Sequence, residues 1–355
     1  MTTPPRLRAP HAPTGRHQSP VLASVSEAVG GTPLVRLDRL FPESGIEVLA
    51  KLESMNPGGS TKDRPALAMV RDALRTGRLT AGGTVVESSS GNLGIALARA
   101  CREHAVHFVC VVDSRTNPSA IATIRALGGE VEIVSEPDHA SGDLLTARLH
   151  RVESLLDEIS GGVNLYQYGN PANPAAHAGG TMREIAEATD HHVDHLLAAV
   201  STTGTLAGCT QYIREAGMAT STIAVDAVGS VLFGGTAAPR HLPGLGAGVV
   251  TDLSLTVEPD TVVRVDALAC VVGARLLARE AGILAGASTG GIVHALGTLV
   301  PDMRPGTRAV FIVHDSGTPY LHTIYDDQWV HETVGADPGT LARATSELQE
   351  RARRG

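Results

Sequence analysis

The chain has 355 residues, 43% of them apolar and 19% charged, with a formal net charge of −8. That length and balance fit a folded chain of one large or two medium domains and exclude a disordered one. The acidic excess leaves no basic footprint for nucleic acid, and 3% aromatic content leaves no platform for stacking single strands.

Residues 1–20, rich in Pro, Arg, His and Thr, read as a flexible arm. Met1-Thr2-Thr3-Pro4-Pro5 lacks the apolar core of a signal peptide, and no run of about 18 apolar residues follows, so a cytoplasmic protein without a membrane span is expected. Residues 21–29 suit a short helix, Gly30-Gly31-Thr32-Pro33 a turn, and 35–52 a strand, loop and strand. Helix and strand then alternate. Helices are expected over 64–74, 92–101, 119–127 and 144–159, and strands over 84–87, 107–112 and 131–134. A second series opens at 164–168, with helices over 181–188 and 206–215 and strands over 195–200 and 222–226. A Gly- and Pro-rich loop spans 229–248; loops that long are usually functional or mobile. Helices over 266–281 and 288–299 and a strand over 309–313 complete the pattern. Residues beyond about 330 read as peripheral, with 341–354 a solvated helix or a frayed tail. Apolar strands separated by helices indicate parallel sheets covered on both faces.

Cys101, Cys110, Cys209 and Cys270 form no Cys-x-x-Cys pair and read as small apolar filler in a reducing compartment. His191-His192 with His195 is a weak metal-like pattern that reads as a loop before a buried strand, and no metal is expected.

The stretch Pro57-Gly58-Gly59-Ser60-Thr61-Lys62-Asp63-Arg64 joins a short strand to a helix. Its glycines permit a tight turn and close approach to a ligand. The first helical turn offers unpaired N–H groups to an anion. Lys62, at the junction, suits a phosphate contact or an amine nucleophile toward a carbonyl. A turn followed by a solvated Lys-Asp-Arg cluster is the plainer alternative.

Ligands of open parallel sheets bind beyond the carboxyl ends of strands. Three polar loops belong there: Glu87-Ser88-Ser89-Ser90-Gly91-Asn92, Ser201-Thr202-Thr203-Gly204-Thr205 and Gly286-Ala287-Ser288-Thr289-Gly290-Gly291. The second combines hydroxyls with backbone N–H groups, which makes a phosphate cup. It lacks a Walker lysine, and no dinucleotide glycine fingerprint follows the first strand. Ser and Thr capping explains any one such loop. Three of them, together with a lysine loop, point to a ligand site.

Read together, these segments resemble a known family. Asn56 to Arg64 is similar to the lysine motif of fold-type II pyridoxal-phosphate enzymes, and Ser89-Ser90-Gly91-Asn92-Leu93-Gly94 to their substrate-carboxylate loop. Gln167-Tyr168 with Asn170, Pro171, Asn173 and Pro174 resembles the next segment of cysteine synthases. Order and spacing agree from about residue 28 to 325 with the cysteine synthase/cystathionine β-synthase family. The resemblance is strongest to the branch that serves 2,3-diaminopropionate formation in siderophore pathways.

The resemblance implies two three-layer α/β/α domains with mostly parallel sheets. A smaller mobile domain would cover 58–164, and a larger cofactor domain 21–57 with 165–330. The arm 1–20 and a peripheral tail 331–355 would lie outside them, and the molecule would be a homodimer. Lys62 would bind pyridoxal 5'-phosphate covalently and then take the substrate α-proton. Asn92 would bond the cofactor ring oxygen, Ser201, Thr202, Thr203, Gly204 and Thr205 would hold its phosphate, and Ser288 would face its pyridine nitrogen. Ser89, Ser90, Asn92 and Gln167 would hold the substrate carboxylate. The implied reaction is a β-replacement through an aminoacrylate, joining O-phospho-L-serine to L-glutamate. A neutral Ser288 hydroxyl suits such an elimination better than an aspartate would. Arg115, Arg240 and His241 are candidate partners for the anionic substrates. The rival activity is cysteine synthesis from sulfide with O-acetylserine or O-phosphoserine, and the rival of another class is a non-catalytic metabolite-binding protein.

This chain departs from the family at three places. Ser201 and Thr203 stand where cysteine synthases carry glycines, Leu93 where they carry threonine, and Gly317-Thr318-Pro319 where a charged Gly-Glu-Arg or Gly-Asp-Arg is usual.

Overall fold

A computed structural model describes residues 21–89, 91–139 and 144–353. The expected arm at 1–20 and Ser90 lie outside the described residues.

The chain opens with a 3₁₀ turn, Val25–Ala28, rather than the longer helix expected over 21–29. Strands β1 (Leu34–Arg36) and β2 (Glu47–Lys51) pair antiparallel. Helix α1 (Asp63–Arg75) begins directly after Lys62. Then come β3 (Thr84–Ser88), α2 (Asn92–Glu103), β4 (His107–Asp113), α3 (Pro118–Ala126), β5 (Glu130–Val134), α4 (Leu144–Glu158) and the short β6 (Gly162–Val163). These four strands make a parallel sheet in the order β5-β4-β3-β6. Residues 164–168, where the second series was expected to open, form no strand.

The chain then crosses through α5 (Ala172–Ala176), a π-helical turn (His177–Met182) and α6 (Arg183–Ala188). It returns to the first sheet with β7 (His195–Ala199), α7 (Gly204–Glu215), β8 (Ser221–Ala227), β9 (Thr261–Val265), α8 (Ala267–Ala281), α9 (Ala287–Leu299) and β10 (Arg308–Ile312). The six-stranded order is β1-β2-β10-β7-β8-β9, parallel apart from β1. Helices α10 (Asp327–Val334) and α11 (Pro338–Ala352) close the chain.

Alternation along the strands explains why both sheets sit inside. In β7 and β10, Leu197 and Phe311 join a core with α8, α9 and α11, while the neighbouring Leu196 and Val310 join a second core with α6 and α7. The smaller sheet divides in the same way. Val85, Phe108 and Cys110 pack with α1, α2 and α3, whereas Val86 and Val111 pack with Val152 and Leu155 of α4. Each sheet is therefore the middle layer of three, and the apolar runs need both coverings.

The tail expected to be peripheral is not so. Leu341, Leu348 and Ala352 of α11 are buried in the large core, as is Val330 of α10. The long loop 229–248 is pinned as well. Gly246 N–H donates to the Val200 carbonyl (2.7 Å), and the Arg264 guanidinium donates to the carbonyls of Leu232 (3.1 Å) and Phe233 (2.9 Å). No helix among the described residues is long and apolar enough to cross a membrane.

Candidate active site

The lysine loop is built on a contact that only glycine allows. Gly58 N–H donates to Asp63 Oδ2 (2.8 Å), and a Cβ at position 58 would overlap that carboxylate. Gly59 adopts φ +80°. The loop then pairs with the chain just beyond β10. Thr61 N–H donates to the His314 carbonyl (2.7 Å), Ser316 N–H donates to the Gly59 carbonyl (3.0 Å), and Ser60 bridges to Asp315. Lys62 is thereby fixed between the N-terminus of α1 and the carboxyl end of the large sheet.

Burial lowers the pKa of the Lys62 amine, against an opposing pull from Asp315. Asp315 favours the protonated amine and burial opposes it. Burial and the Lys62 charge drive His314 down to about 3, and burial, Lys62, Arg64 and His314 drive His177 well below the ordinary range. Asp315 is itself pushed up by burial, although Tyr320 Oη and Asn92 Nδ2 donate to its Oδ2 at 2.7 and 2.8 Å. Its Oδ1 has no hydrogen-bond partner and faces Gly286, where a Cβ would overlap it. Half-buried Lys62 thus stands beside two imidazoles and a carboxyl group whose charged forms are disfavoured by burial.

His314 also ties the other loops to this point. Its Nε2 accepts from Ala199 N–H (3.0 Å) at the end of β7, and its own N–H donates to Thr289 Oγ1 (3.0 Å) in α9. Ala285 bridges to Ser316. Lys62, Asn92, the start of α9 with buried Ser288, and the loop after β7 therefore meet around residues 314–316.

In the loop after β7, Thr202, Thr203 and Thr205 are buried and Ser201 is half-buried. Thr203 holds φ +72°, a left-handed conformation costly for a β-branched residue, and its Oγ1 has no partner. A Cβ at Gly204 would overlap the Asn173 side chain. The glycine is needed so that α7 can begin there.

Of the expected carboxylate residues, Asn92 bonds Asp315, while Ser89 and Gln167 lie at the carboxyl end of β3. Ser89 is buried, and its Oγ accepts from Gly94 N–H (2.9 Å), capping the start of α2. Gln167 is buried, and its Nε2 donates to the Ser88 carbonyl (3.3 Å). Arg115, Arg240 and His241 are all exposed. A buried cation here that the sequence reading passed over is Arg148. It faces Asp113 Oδ2 at 3.3 Å and interacts electrostatically with Tyr168. Nearby Glu87 is pushed up to about 8 by burial, and its Oε2 and Ser88 Oγ have no partners.

Sequence reasoning also missed His177, Asp315 as a neighbour of Lys62, and Tyr320. The signal for the second was present: His314-Asp315-Ser316 is a polar run directly after an apolar strand, like the loops at 87–92 and 201–205, whereas the third selected loop, 286–291, joins α8 to α9 and follows no strand. The pattern at His191 and His192 lies in a turn with Asp190 and His191 at positive φ, and the His191 ring stacks on Tyr212. No group of three or more His, Cys, Asp or Glu among the described residues could hold a metal.

The sequence pattern of a family described as pyridoxal-phosphate dependent enzymes matches residues 25–315. An N-(2-amino-2-carboxyethyl)-L-glutamate synthase of Ralstonia nicotianae is 40% identical over 326 residues, 92% of this chain and 96% of that protein. Among solved structures, an O-acetylserine-dependent cystathionine β-synthase from Helicobacter pylori superposes with a TM-score of 0.81 at 27% identity, covering 87% of this chain and all of that one. An O-ureido-L-serine synthase superposes with a TM-score of 0.79 at 32% identity, covering 91% of this chain and all of that one.

Proposed function

This chain belongs to the family of pyridoxal-phosphate dependent enzymes, and from that premise we propose that it performs a β-replacement joining O-phospho-L-serine to L-glutamate, releasing phosphate and N-(2-amino-2-carboxyethyl)-L-glutamate. The observation that carries the chemistry is Lys62, half-buried at the carboxyl end of the large sheet, with its amine pKa lowered by burial. Support for the substrate pair is the 40% identity to the Ralstonia nicotianae synthase across nearly the whole of both chains.

The residues fit the cofactor. An uncharged amine is what attack on an aldehyde requires. The buried, unpartnered Thr203 hydroxyl at the start of α7 suits a phosphate oxygen. In this reading Lys62 holds the aldehyde, Asn92 and Ser288 flank the ring, and Ser201 to Thr205 hold the phosphate. When bound, pyridoxal phosphate supplies the aldehyde that takes the substrate amine and the electron sink that lets a bond at Cα ionise.

The protein's own part is proton handling and orientation. Lys62 Nζ, its pKa lowered by burial, accepts the substrate α-proton. Asp315, held by Tyr320 and Asn92, raises the proton affinity of the Lys62 amine against the effect of burial. Ser89, Ser90, Asn92 and Gln167 orient the substrate carboxylate. Arg148 is a buried candidate partner for a substrate anion that would share it with Asp113, whereas Arg115, Arg240 and His241 are exposed. The four-stranded half, 58–164, closes over the substrate on the half formed by 21–57 and 165–330.

The test is a matrix of donors and nucleophiles on the purified enzyme, with products identified by mass. The expected best pair is O-phosphoserine with glutamate. Equal or faster turnover with sulfide rejects this substrate assignment in favour of cysteine synthesis. Lys62→Ala is expected to abolish turnover and the visible absorbance of the lysine-bound cofactor. A variant that keeps both removes Lys62 from the reaction.

A further inference from the structure

Helix α7 lies very close to the segment formed by α5 and the π-helical turn. A Cβ on Gly208 would overlap the Pro174 carbonyl and press on the His177 Cβ. This approach brings His177, the first residue of the π turn, under the hydroxyl loop. Such turns recur at functional sites because they re-aim side chains. The His177 ring is fully buried. Its Nδ1 lies 3.0 Å from Thr181 Oγ1, and its Nε2 lies 3.3 Å from Thr205 Oγ1.

A neutral imidazole donates from one nitrogen and accepts at the other. With the proton on Nδ1, Thr205 would donate its own proton to Nε2 and turn its lone pairs toward the loop. With the proton on Nε2, Thr181 donates to Nδ1, the ring donates to Thr205, and the Thr205 proton is free to face the loop. Only the second arrangement suits an anion. The ring stays neutral because it is buried beside Lys62 and Arg64.

Resting on the reading above that this loop seats the cofactor phosphate, we propose that His177 is a positioning residue. Held as its Nε2–H tautomer by Thr181, it donates to Thr205 and aims the Thr205 hydroxyl proton at the phosphate.

The experiment uses the holoenzyme. Its readouts are the cofactor dissociation constant after equilibrium dialysis and the ³¹P resonance of the bound phosphate. Thr205→Val is expected to weaken cofactor binding on the order of tenfold, the size of one hydrogen bond to a charged group. His177→Asn should produce a similar loss in the wild-type background, and less than about twofold further loss in Thr205→Val, because the two residues act through one hydroxyl. His177→Gln, whose amide can reach the Nε2 position, should restore most of the affinity and the phosphate resonance. Equal losses from His177→Asn in both backgrounds would mean general packing and overturn the proposal. An unaffected Thr205→Val would also overturn the proposal; a loss of affinity in Thr203→Gly would then leave the phosphate seat standing, and no loss there would overturn the seat as well, which separates the two failures. Should His177→Asn fail to fold, ring-nitrogen NMR of the wild-type holoenzyme decides the matter. A protonated Nε2 supports the proposal, and a protonated Nδ1 overturns it.

Discussion

The most costly single conformation near the site is that of Thr203. A left-handed β-branched residue gives up about 1–2 kcal/mol relative to its relaxed form. Glycine would relieve this but lose about 0.5–1 kcal/mol through the extra freedom of its unfolded chain. Thr203→Gly should therefore leave the apoprotein unchanged or stabilise it by up to about 1 kcal/mol, seen as an equal or higher thermal midpoint. Cofactor affinity should move the other way and fall about tenfold, since the buried Oγ1 loses its proposed partner. A variant that binds cofactor as tightly as wild type would show that the hydroxyl is not a phosphate ligand and that the strain has another origin. The residue type at 203 was legible as a departure from the family glycine. Its positive φ was not, because threonine gives no warning of a left-handed conformation.

At the scale of elements, the site depends on α7 starting directly against α5. Gly208 allows this, and an added Cβ would overlap the Pro174 carbonyl, part of the backbone and unable to swing aside. Gly208→Ala should cost about 1–3 kcal/mol as overpacking. It should also weaken cofactor binding, because α7 carries the hydroxyl loop at its N-terminus. A circular-dichroism melt and a cofactor titration measure the two effects, and full stability with full affinity would mean that the helices part without consequence. Most elements could be read from sequence for a simple reason: β3, β4, β7 and β10 are apolar runs ended by polar or glycine-rich turns. β9 was missed because Thr261-Val262-Val263-Arg264-Val265 does not alternate, and this edge strand is half-exposed and follows a long irregular stretch. Helix α11 was underrated because Leu341, Leu348 and Ala352, spaced along one face, are most of what it buries. Contiguous motifs such as the lysine loop carried their chemistry in plain view. His177 with Thr205, and His314 with Ala199, did not, since they meet only through sheet order and helix packing.

At the scale of the molecule, the lysine-bearing helix is held to the large sheet by buried charges far apart in sequence. Arg64 belongs to α1, which packs on the small sheet, yet its guanidinium donates to Glu53 beyond β2 (2.6 and 2.7 Å) and to Glu184 of α6 (2.7 and 2.8 Å). Lys51 Nζ adds a bond to Glu184 (2.6 Å), and Thr32 Oγ1 adds one to Glu53 (2.8 Å). Glu53 is fully buried, so removing its cation leaves an uncompensated charge. Arg64→Met should cost about 3–5 kcal/mol. Because it frees α1 from the large sheet, it should also slow turnover beyond any effect on substrate affinity. Glu184 gives the pH signature. Its pKa is lowered to about 2 by Arg64 and Lys51 against the effect of burial, so its stabilisation is complete above the ordinary value near 4.5 and is lost as pH falls toward 2. Unfolding free energies from denaturant titrations between pH 5 and pH 3 should fall more steeply for wild type than for Glu184→Gln, the two curves converging as pH decreases. Parallel curves over that range would mean that Glu184 carries no folded-state charge interaction and that Arg64 is held to the large half through Glu53.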